Sequence, residues 1–241
     1  CKSACKTLFG YTNNVFKSAM INHYISENPM QYLSPKFFYQ YCTEKKKSKD
    51  KILVLDKDMV LLCEQLQEDY KNQPEYIPSY AVELAILTGM RVGEIAALTW
   101  DSISKDGILI NKSEKYNRKT NTYFIDATKN KKERLFPMCN EISNLLDKVK
   151  KAELQNGYIC EWVFANEDGR VHAPVISSCI KNKCRQLGIE ERGIHALRKT
   201  FNSKIRNIGV APTVAATLLG HSVEVNQKYY TFDVTSNDEK K

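Results

Sequence analysis

Residues 87–94 read Leu-Thr-Gly-Met-Arg-Val-Gly-Glu and contain the end of one predicted helix and the start of the next. An apolar helical pattern runs into this stretch and closes at Gly89, the residue type favoured just past a helix C-terminus. A further helix is predicted from about Gly93. Arg91 therefore lies in a short loop, where the free backbone amides of the second helix favour an anion. Taken alone, an arginine in such a loop is more often simply solvated.

Two further segments place ionisable side chains near predicted helix ends. His195 and Arg198 are three residues apart at the start of an apolar helix, so both project from one face. His221 follows Gly220, which ends another helix, and Tyr230 comes nine residues later. Phosphate chemistry without a metal needs several fixed cations, because the transition state spreads negative charge over the non-bridging oxygens. Taken singly, each of these side chains is more often structural. Only their combination indicates phosphate chemistry.

The 241-residue chain has the composition of an ordinary folded protein with an excess of positive charge. Its formal charge of +8 suggests an anionic partner, although a pI of about 8.9 falls short of a strongly basic nucleic-acid binder. No stretch approaches the roughly 18 apolar residues of a membrane-spanning helix, which predicts a soluble protein with no membrane partner. Because the first residue is Cys1 and no leader follows it, we expect the chain to start inside a longer protein.

Eight cysteines are spread over the whole chain and form no Cys-x-x-Cys pair. Several lie inside apolar helical patterns, as Cys63 does, which is typical of buried cytosolic thiols rather than of disulfides. Cys179 and Cys184 have no histidine beside them at ligand spacing. We therefore expect no metal, no cofactor and a cytoplasmic location.

A polar segment, residues 43–51, contains five lysines and no apolar side chain. Such a run is typical of an exposed linker, because nothing in it can join a hydrophobic core. It divides the chain into residues 1–43, a basic linker 44–51, and residues 52–241.

Helical patterns dominate on both sides of the linker, and short β-rich runs interrupt them in the middle of the chain. The first segment predicts one amphipathic helix over residues 5–30, ending where Asn28 precedes a proline. Residues 107–110, 123–127 and 134–137 are rich in strand-forming types, and the last two runs flank a basic turn. They predict a small antiparallel sheet with a basic β-hairpin. A mainly helical chain with one small sheet is an α+β fold.

The motifs follow one another in a fixed order. They are Thr-Gly-x-Arg-x-x-Glu at residues 88–94, a lysine in the basic hairpin, His-x-x-Arg, Leu-Gly-His, and a tyrosine nine residues after that histidine. In this order they resemble the tyrosine recombinase (phage-type integrase) family, most of all integrases of conjugative transposons and related mobile elements. The resemblance spans about residues 52–234. It implies that residues 52–241 are the family's catalytic domain and residues 1–43 the C-terminal part of its helical, DNA-clamping core-binding domain.

The resemblance also implies a DNA strand breaking-and-rejoining enzyme, independent of metal and ATP, and gives each motif residue a role. Tyr230 would attack the scissile phosphodiester and become a 3′-phosphotyrosine. Arg91 and Arg198 would hold the non-bridging oxygens of the phosphate. His195 would act as general base or hydrogen-bond partner, and His221 would help to hold the phosphate.

Two further roles come from the same resemblance. Lys129 matches the hairpin lysine that protonates the departing 5′ oxygen, with Lys131 and Lys132 as rivals. Glu94 matches the family's acidic residue and would support the site by orienting it. Other basic residues of the linker and hairpin are expected to contact the DNA backbone: Lys45, Lys46, Lys47, Lys49, Lys51, Lys131, Lys132 and Arg134.

The implied substrate is a mobile genetic element, which the enzyme would integrate and excise. Its implied partners are double-stranded DNA at the element ends and target site, further copies of the chain in a homotetramer, and an accessory excision factor. Strand exchange would pass through a Holliday junction, in the nucleoid of a bacterial cytoplasm.

Alternatives remain open at this level. A type IB topoisomerase uses similar residues for DNA relaxation alone, and a catalytically idle DNA-binding regulator could keep the same fold. A helical protein that binds some other polyanion would fit the charge but would leave the ordered motifs as coincidence. Tyr229 competes with Tyr230 as nucleophile, although adjacent helical residues point about 100° apart and only one can meet the phosphate.

Overall fold

The computed structural model of the chain describes residues 1–42, 52–128 and 133–230, the last four of them by their backbone alone. The chain forms two compact units, Cys1–Ser48 and Lys49–Lys241. The predicted linker and the basic turn at 129–132 lie outside the described residues. No described helix is long and apolar enough to span a lipid bilayer.

The described chain is mainly helical, and its strands are short. The helices are α1 Lys2–Ile21, α2 Pro35–Phe38, α3 Asp56–Asn72, α4 Pro78–Thr88, α5 Val92–Ala96, α6 Asn140–Asn156, α7 Ala173–Gln186, α8 Ile194–Asn207, α9 Pro212–Leu219 and α10 Val223–Tyr230. The strands are β1 Gly107–Ile110, β2 Lys112–Asn117, β3 Thr122–Ala127, β4 Arg134–Pro137, β5 Ala165–Asn166 and β6 Gly169–Arg170. The α+β fold predicted from the sequence is confirmed.

The first unit consists of α1 and short helical segments after it. α1 ends at Ile21, well before the predicted end at Asn28. The cause is local, because His23 adopts a left-handed φ of 58° that takes the backbone out of the helix. Asn28 instead caps a 3₁₀ turn, since its Oδ1 accepts from the N–H of Met30 at 2.9 Å, and its Nδ2 donates to Asn13 at 2.8 Å. The predicted helix is therefore too long at its C-terminal end.

The second unit is built around α4, which is buried on almost every face. α4 packs against α3, α6, α7 and α8, so little of its surface meets solvent. Its sequence is accordingly almost all apolar, without the polar face of a surface helix. Each fully buried aliphatic side chain, such as Leu84, stabilises the fold by about 1.5–3 kcal/mol. The loop that follows α4 is therefore fixed to the centre of the core.

The strands of the described chain form three separate two-stranded antiparallel sheets. β1 pairs with β4 and β2 pairs with β3, whereas the sequence suggested that β3 would pair with β4 across the basic turn. β2 escaped prediction because Lys-Ser-Glu-Lys-Tyr-Asn has no apolar alternation. Its buried position is Glu114, whose carboxylate accepts from Arg170 Nε at 3.0 Å and lies 2.7 Å from His172 Nδ1. Polar pairing holds this strand in place.

Two helices end at glycines in the left-handed conformation, Gly89 after α4 and Gly220 after α9. A Cβ at Gly89 would lie 2.8 Å from Cδ1 of Phe201 in α8. α8 therefore packs directly against this turn, and only the missing side chain of glycine allows the approach. The turn brings the residues after α4 close to α8.

We expect Gly89→Ala to lower the free energy of unfolding by about 2–4 kcal/mol, because a left-handed φ is combined with overpacking against Phe201. Gly188→Ala is the matched control, since Gly188 has a φ of 64°, close to the 61° of Gly89, and nothing lies within 4 Å of its Cβ position. The control should lower the free energy of unfolding by only about 1–2 kcal/mol, the cost of the left-handed φ alone. Urea denaturation measures both losses. Equal losses in the two variants would contradict the close contact at Gly89.

Candidate active site

Four residues of the predicted motifs line one cleft of about 950 Å³: Arg91, His195, Arg198 and His221. They come from three places in the chain, which are the N-cap of α5, the N-terminal part of α8 and the turn after α9. The turns after α4 and α9 both contact Arg198 of α8. The structure thus brings together arginines and histidines that are far apart in sequence.

Arg198 is the buried part of the cleft wall, with an exposed fraction of 1%. Its Nη1 donates to the carbonyl of Gly89 at 2.7 Å. Its Nη2 donates to the carbonyl of Leu219 and, at 2.8 Å, to Nε2 of His221. A buried guanidinium is tolerated only when it is hydrogen-bonded, and both carbonyls lie at helix C-termini, whose dipoles favour a cation. Arg198 therefore joins the two turns that border the cleft.

The two histidines of the cleft are neutral near pH 7. Burial, followed by the nearby cations of Arg198 and Arg91, lowers the pKa of His221 to about 3. Burial, Lys199 and Arg198 likewise lower the pKa of His195. Because Arg198 donates to Nε2 of His221, the ring proton of that histidine is assigned to Nδ1. The acceptor nitrogen of His221 is thus occupied by Arg198, whereas neutral His195 can accept a proton, so the cleft contains fixed positive charge together with one candidate base.

Arg91 faces the cleft and is held by Glu94 in the first turn of α5. The carboxylate of Glu94 accepts from the backbone N–H of Arg91 at 3.0 Å and from its Nη1 at 2.9 Å. Nη2 of Arg91 donates to the carbonyl of Gly220 at 3.2 Å. Burial alone would raise the pKa of Glu94, but hydrogen bonds from Arg134 and Arg91 outweigh it and hold the pKa below its usual value. Glu94 is therefore a charged anchor and not a proton donor at neutral pH.

Arg134 is buried in the protein, whereas the sequence predicted that it would contact the DNA backbone. Its side chain is only 6% exposed. Its Nη2 lies 2.6 Å from Oε2 of Glu94 and its Nη1 3.2 Å from Oε1, while Nε donates to the carbonyl of Leu218 at 2.8 Å. The structure corrects the expectation, because this side chain is committed to the protein interior. The sequence signal for this burial is the alternation along β4, in which Arg134 and Phe136 occupy the two buried positions.

The predicted residues of the linker and basic turn lie outside the described residues: Lys45, Lys46, Lys47, Lys49, Lys51, Lys129, Lys131 and Lys132. Tyr230 is the last residue of α10. α10 is anchored to α8 by Asn226, whose Nδ2 donates to Oδ1 of Asn202 at 2.7 Å. The helix that ends at Tyr230 therefore contacts the helix that carries His195 and Arg198.

The cleft also contains residues that the sequence did not indicate. Lys181 and Ser177 line it from α7, four residues apart and therefore on one helix face. Lys181 lies 3.8 Å from Glu191, a long ion pair between two exposed side chains. Across the described residues, no group of three or more His, Cys, Asp or Glu side chains is placed to hold a metal ion.

Comparison with known sequences supports one family. A model of the phage integrase family matches residues 54–235. The transposase from transposon Tn916 of Enterococcus faecalis is 28% identical over 211 residues, covering 75% of this chain and 51% of the relative. A XerC-like tyrosine recombinase of Caldanaerobacter subterraneus is 30% identical over 174 residues, covering 61% and 44%. The chain thus spans about half the length of the curated relatives it matches.

Similar folds occur among solved structures. The Tn1549 transposon integrase in complex with transposon right end DNA has a TM-score of 0.71 at 18% identity, covering 95% of this chain and 74% of that one. A lambda integrase tetramer bound to a Holliday junction has a TM-score of 0.57 at 16% identity, with coverage of 95% and 61%. At these identities the likeness concerns the fold alone.

We expect the stabilising contribution of His221 to fade as the pH falls from 7 to 5. The unfolded chain binds a proton at this histidine near pH 6.5 but the folded chain only near pH 3, so acid favours unfolding between these values. The difference in unfolding free energy between wild type and His221→Asn should shrink by about 1.4 kcal/mol per pH unit once the pH is well below 6.5. Urea denaturation at each pH measures it. Ser222→Ala, in the same cleft, is the control without a titrating group. A difference that stays constant for His221→Asn would contradict a neutral, buried histidine.

Proposed function

This chain belongs to the phage integrase family, and from this premise we propose that it is a site-specific DNA recombinase that cleaves and rejoins DNA through a 3′-phosphotyrosine intermediate. The observation that carries the proposal is the convergence of Arg91, Arg198 and two neutral histidines on one cleft, next to the helix that ends at Tyr230. The similarity to the transposase from transposon Tn916 supports the ends of a mobile element as the DNA that is integrated and excised.

In the proposed cleavage step, the scissile phosphate occupies the cleft with its non-bridging oxygens towards Arg91 and Arg198. The oxygen of Tyr230 forms a bond to phosphorus while the bond to the 5′ oxygen breaks, so the phosphoryl group stays on the 3′ end. The tyrosine proton passes to a base, for which His195 is the candidate because its lowered pKa keeps it neutral. Lys129 gives a proton to the departing 5′ oxygen.

The arginines suit this chemistry because they are fixed before the phosphate arrives. Arg198 and Arg91 are hydrogen-bonded to the carbonyls of the two turns and to Glu94, so they stabilise developing negative charge without reorganisation. In this scheme their charge takes the part that a metal ion plays in other phosphoryl transfers. The phosphotyrosine bond keeps the energy of the broken phosphodiester, so rejoining is the reverse step and needs no nucleotide.

The proposed partners follow from the same relatives. The Tn1549 integrase structure contains transposon right end DNA, and the lambda integrase tetramer is bound to a Holliday junction. We propose that this chain binds double-stranded DNA at element ends and acts as a homotetramer in the nucleoid, with an accessory excision factor. Residues 1–43 would clamp the duplex, residues 44–51 would follow its backbone, and residues 52–241 would carry out the chemistry.

A nicked duplex that carries candidate element ends and traps the cleaved end tests the covalent step. Wild type and Tyr229→Phe should give a protein–DNA band that survives denaturation, with a chelator present, whereas Tyr230→Phe should give none because it lacks the attacking oxygen. A band lost in Tyr229→Phe and kept in Tyr230→Phe would assign the nucleophile to Tyr229. DNA binding without a band on any duplex would favour the idle regulator. Relaxation of supercoiled DNA without strand exchange would favour the type IB topoisomerase.

Salt dependence tests the proposed contacts of the linker with DNA. If Lys45, Lys46 and Lys47 each neutralise one phosphate, their joint replacement by Gln should reduce the slope of log affinity against log salt by roughly 2.7. Replacement of three exposed lysines on α6, none of which lines the cleft, is the matched control and should leave the slope unchanged: Lys148, Lys150 and Lys151. Fluorescence anisotropy with a labelled duplex at several salt concentrations measures both slopes. Equal slopes in wild type and the linker variant would refute the backbone contact.

A further inference from the structure

Arg134 and Arg91 share one anion, the buried carboxylate of Glu94. Arg134 bonds both carboxylate oxygens through its two Nη atoms, at 2.6 and 3.2 Å. Arg91 bonds Oε1 through its Nη1 at 2.9 Å and Oε2 through its backbone N–H at 3.0 Å. Each oxygen thus accepts one hydrogen bond from each arginine. The side chain of Glu94 is 1% exposed, so these bonds replace its lost hydration.

The net charge of the group formed by Arg91, Glu94 and Arg134 depends on Arg134. Glu94 and Arg91 alone sum to zero, and such a pair would bring no net charge to a phosphate in the cleft. With Arg134 the group carries one net positive charge. The second cation also supplies donors to the carboxylate, so that the remaining N–H groups of Arg91 are not drawn towards Glu94 and away from the cleft.

Arg134 also supports the turn that precedes His221. Its Nε donates to the carbonyl of Leu218 at 2.8 Å, and its Nη1 lies 3.0 Å from the place where Gly220 would carry a Cβ. The guanidinium therefore packs directly against the turn. The carbonyl of Gly220 in turn accepts from Nη2 of Arg91 at 3.2 Å. Arg134 thus contacts both Glu94, which holds Arg91, and the turn that carries His221. Arg91 and His221 are the two proposed phosphate ligands.

We propose that Arg134 is a positioning residue of the cleavage reaction, which holds Arg91 through Glu94 and supplies the net positive charge beside the phosphate. It also fixes the turn that carries His221. This inference rests on the proposed function, in which Arg91 and His221 bind the phosphate. Arg134 acts on the substrate through other residues and does not touch the DNA.

Single-turnover formation of the covalent complex, with saturating enzyme and the end-trapping duplex, separates positioning from binding and folding. Arg134→Gln should slow this step by on the order of 100-fold while the affinity for the duplex, to which one phosphate contributes little, changes far less. Arg134→Lys keeps the charge but cannot span both carboxylate oxygens, so it should recover part of the rate, to about 10-fold below wild type. Each rate is normalised to the folded fraction, measured by urea denaturation. A normalised rate equal to wild type in Arg134→Gln overturns the proposal.

A double-mutant cycle with Glu94→Gln tests the route of action. Without the Glu94 carboxylate, Arg134 has no anion to share, so adding Arg134→Gln should slow the step far less than it does in wild type. Lys183→Gln is the matched structural control, because Lys183 is also a buried cation, 2.8 Å from Asp69, and does not line the cleft. The control should lower the unfolding midpoint and leave the normalised rate unchanged. Equal losses from Arg134→Gln with and without Glu94 would exclude action through that carboxylate.

A measurement without DNA tests the role of Arg134 independently of the proposed function. NMR titration follows the His221 ring, whose signal is assigned by its loss in His221→Asn. Arg134→Gln should raise the pKa of His221, because a nearby cation is removed, and Lys183→Gln should not. If wild type forms no covalent complex with any duplex, the proposed function fails, and a raised pKa in Arg134→Gln still supports the placement of the Arg134 cation beside His221. An unchanged titration refutes it.

Discussion

The guanidinium of Arg198 is almost completely buried, and a cation at that depth is tolerated only because protein groups replace the water it has lost. Its partners are the carbonyls that end two helices and a neutral imidazole, so α4, α9 and His221 must all meet α8 at one point. Displacing any of them would leave a buried N–H without an acceptor. One buried charge therefore holds together three of the parts that border the cleft.

Burial and fixed cations together explain why positive charge and neutral histidines coexist in the cleft. Arginine stays protonated in all ordinary conditions, so the positive potential does not depend on pH. Burial, followed by the nearby fixed cations, lowers the pKa of both His195 and His221, which keeps the two rings neutral. Glu94 offsets part of the positive charge without competing for the cleft, because its oxygens are already saturated by arginine donors.

Local signals predicted four of the residues that line the cleft, because helix ends are encoded within a few residues. Gly89 and Gly220 mark left-handed caps, and the His-x-x-Arg spacing places two side chains on one face. Pairing between distant segments carries no such signal. Arg134 reads as one basic residue among several until β4 pairs with β1 and turns it inwards. The sequence did not predict β2 for a related reason, since charge pairing at Glu114 leaves no apolar alternation. A left-handed φ at His23 ends α1 although the helical pattern continues beyond it.

The contact that attaches α10 to α8 through Asn226 and Asn202 is neutral, although both residues are completely buried. Breaking an amide pair costs about 1 kcal/mol once water can reach its partners, whereas separating a buried ion pair such as that of Lys183 and Asp69 leaves two bare charges behind. This hydrogen bond between α10 and α8 is therefore weaker than a buried ion pair, and its strength does not change with pH.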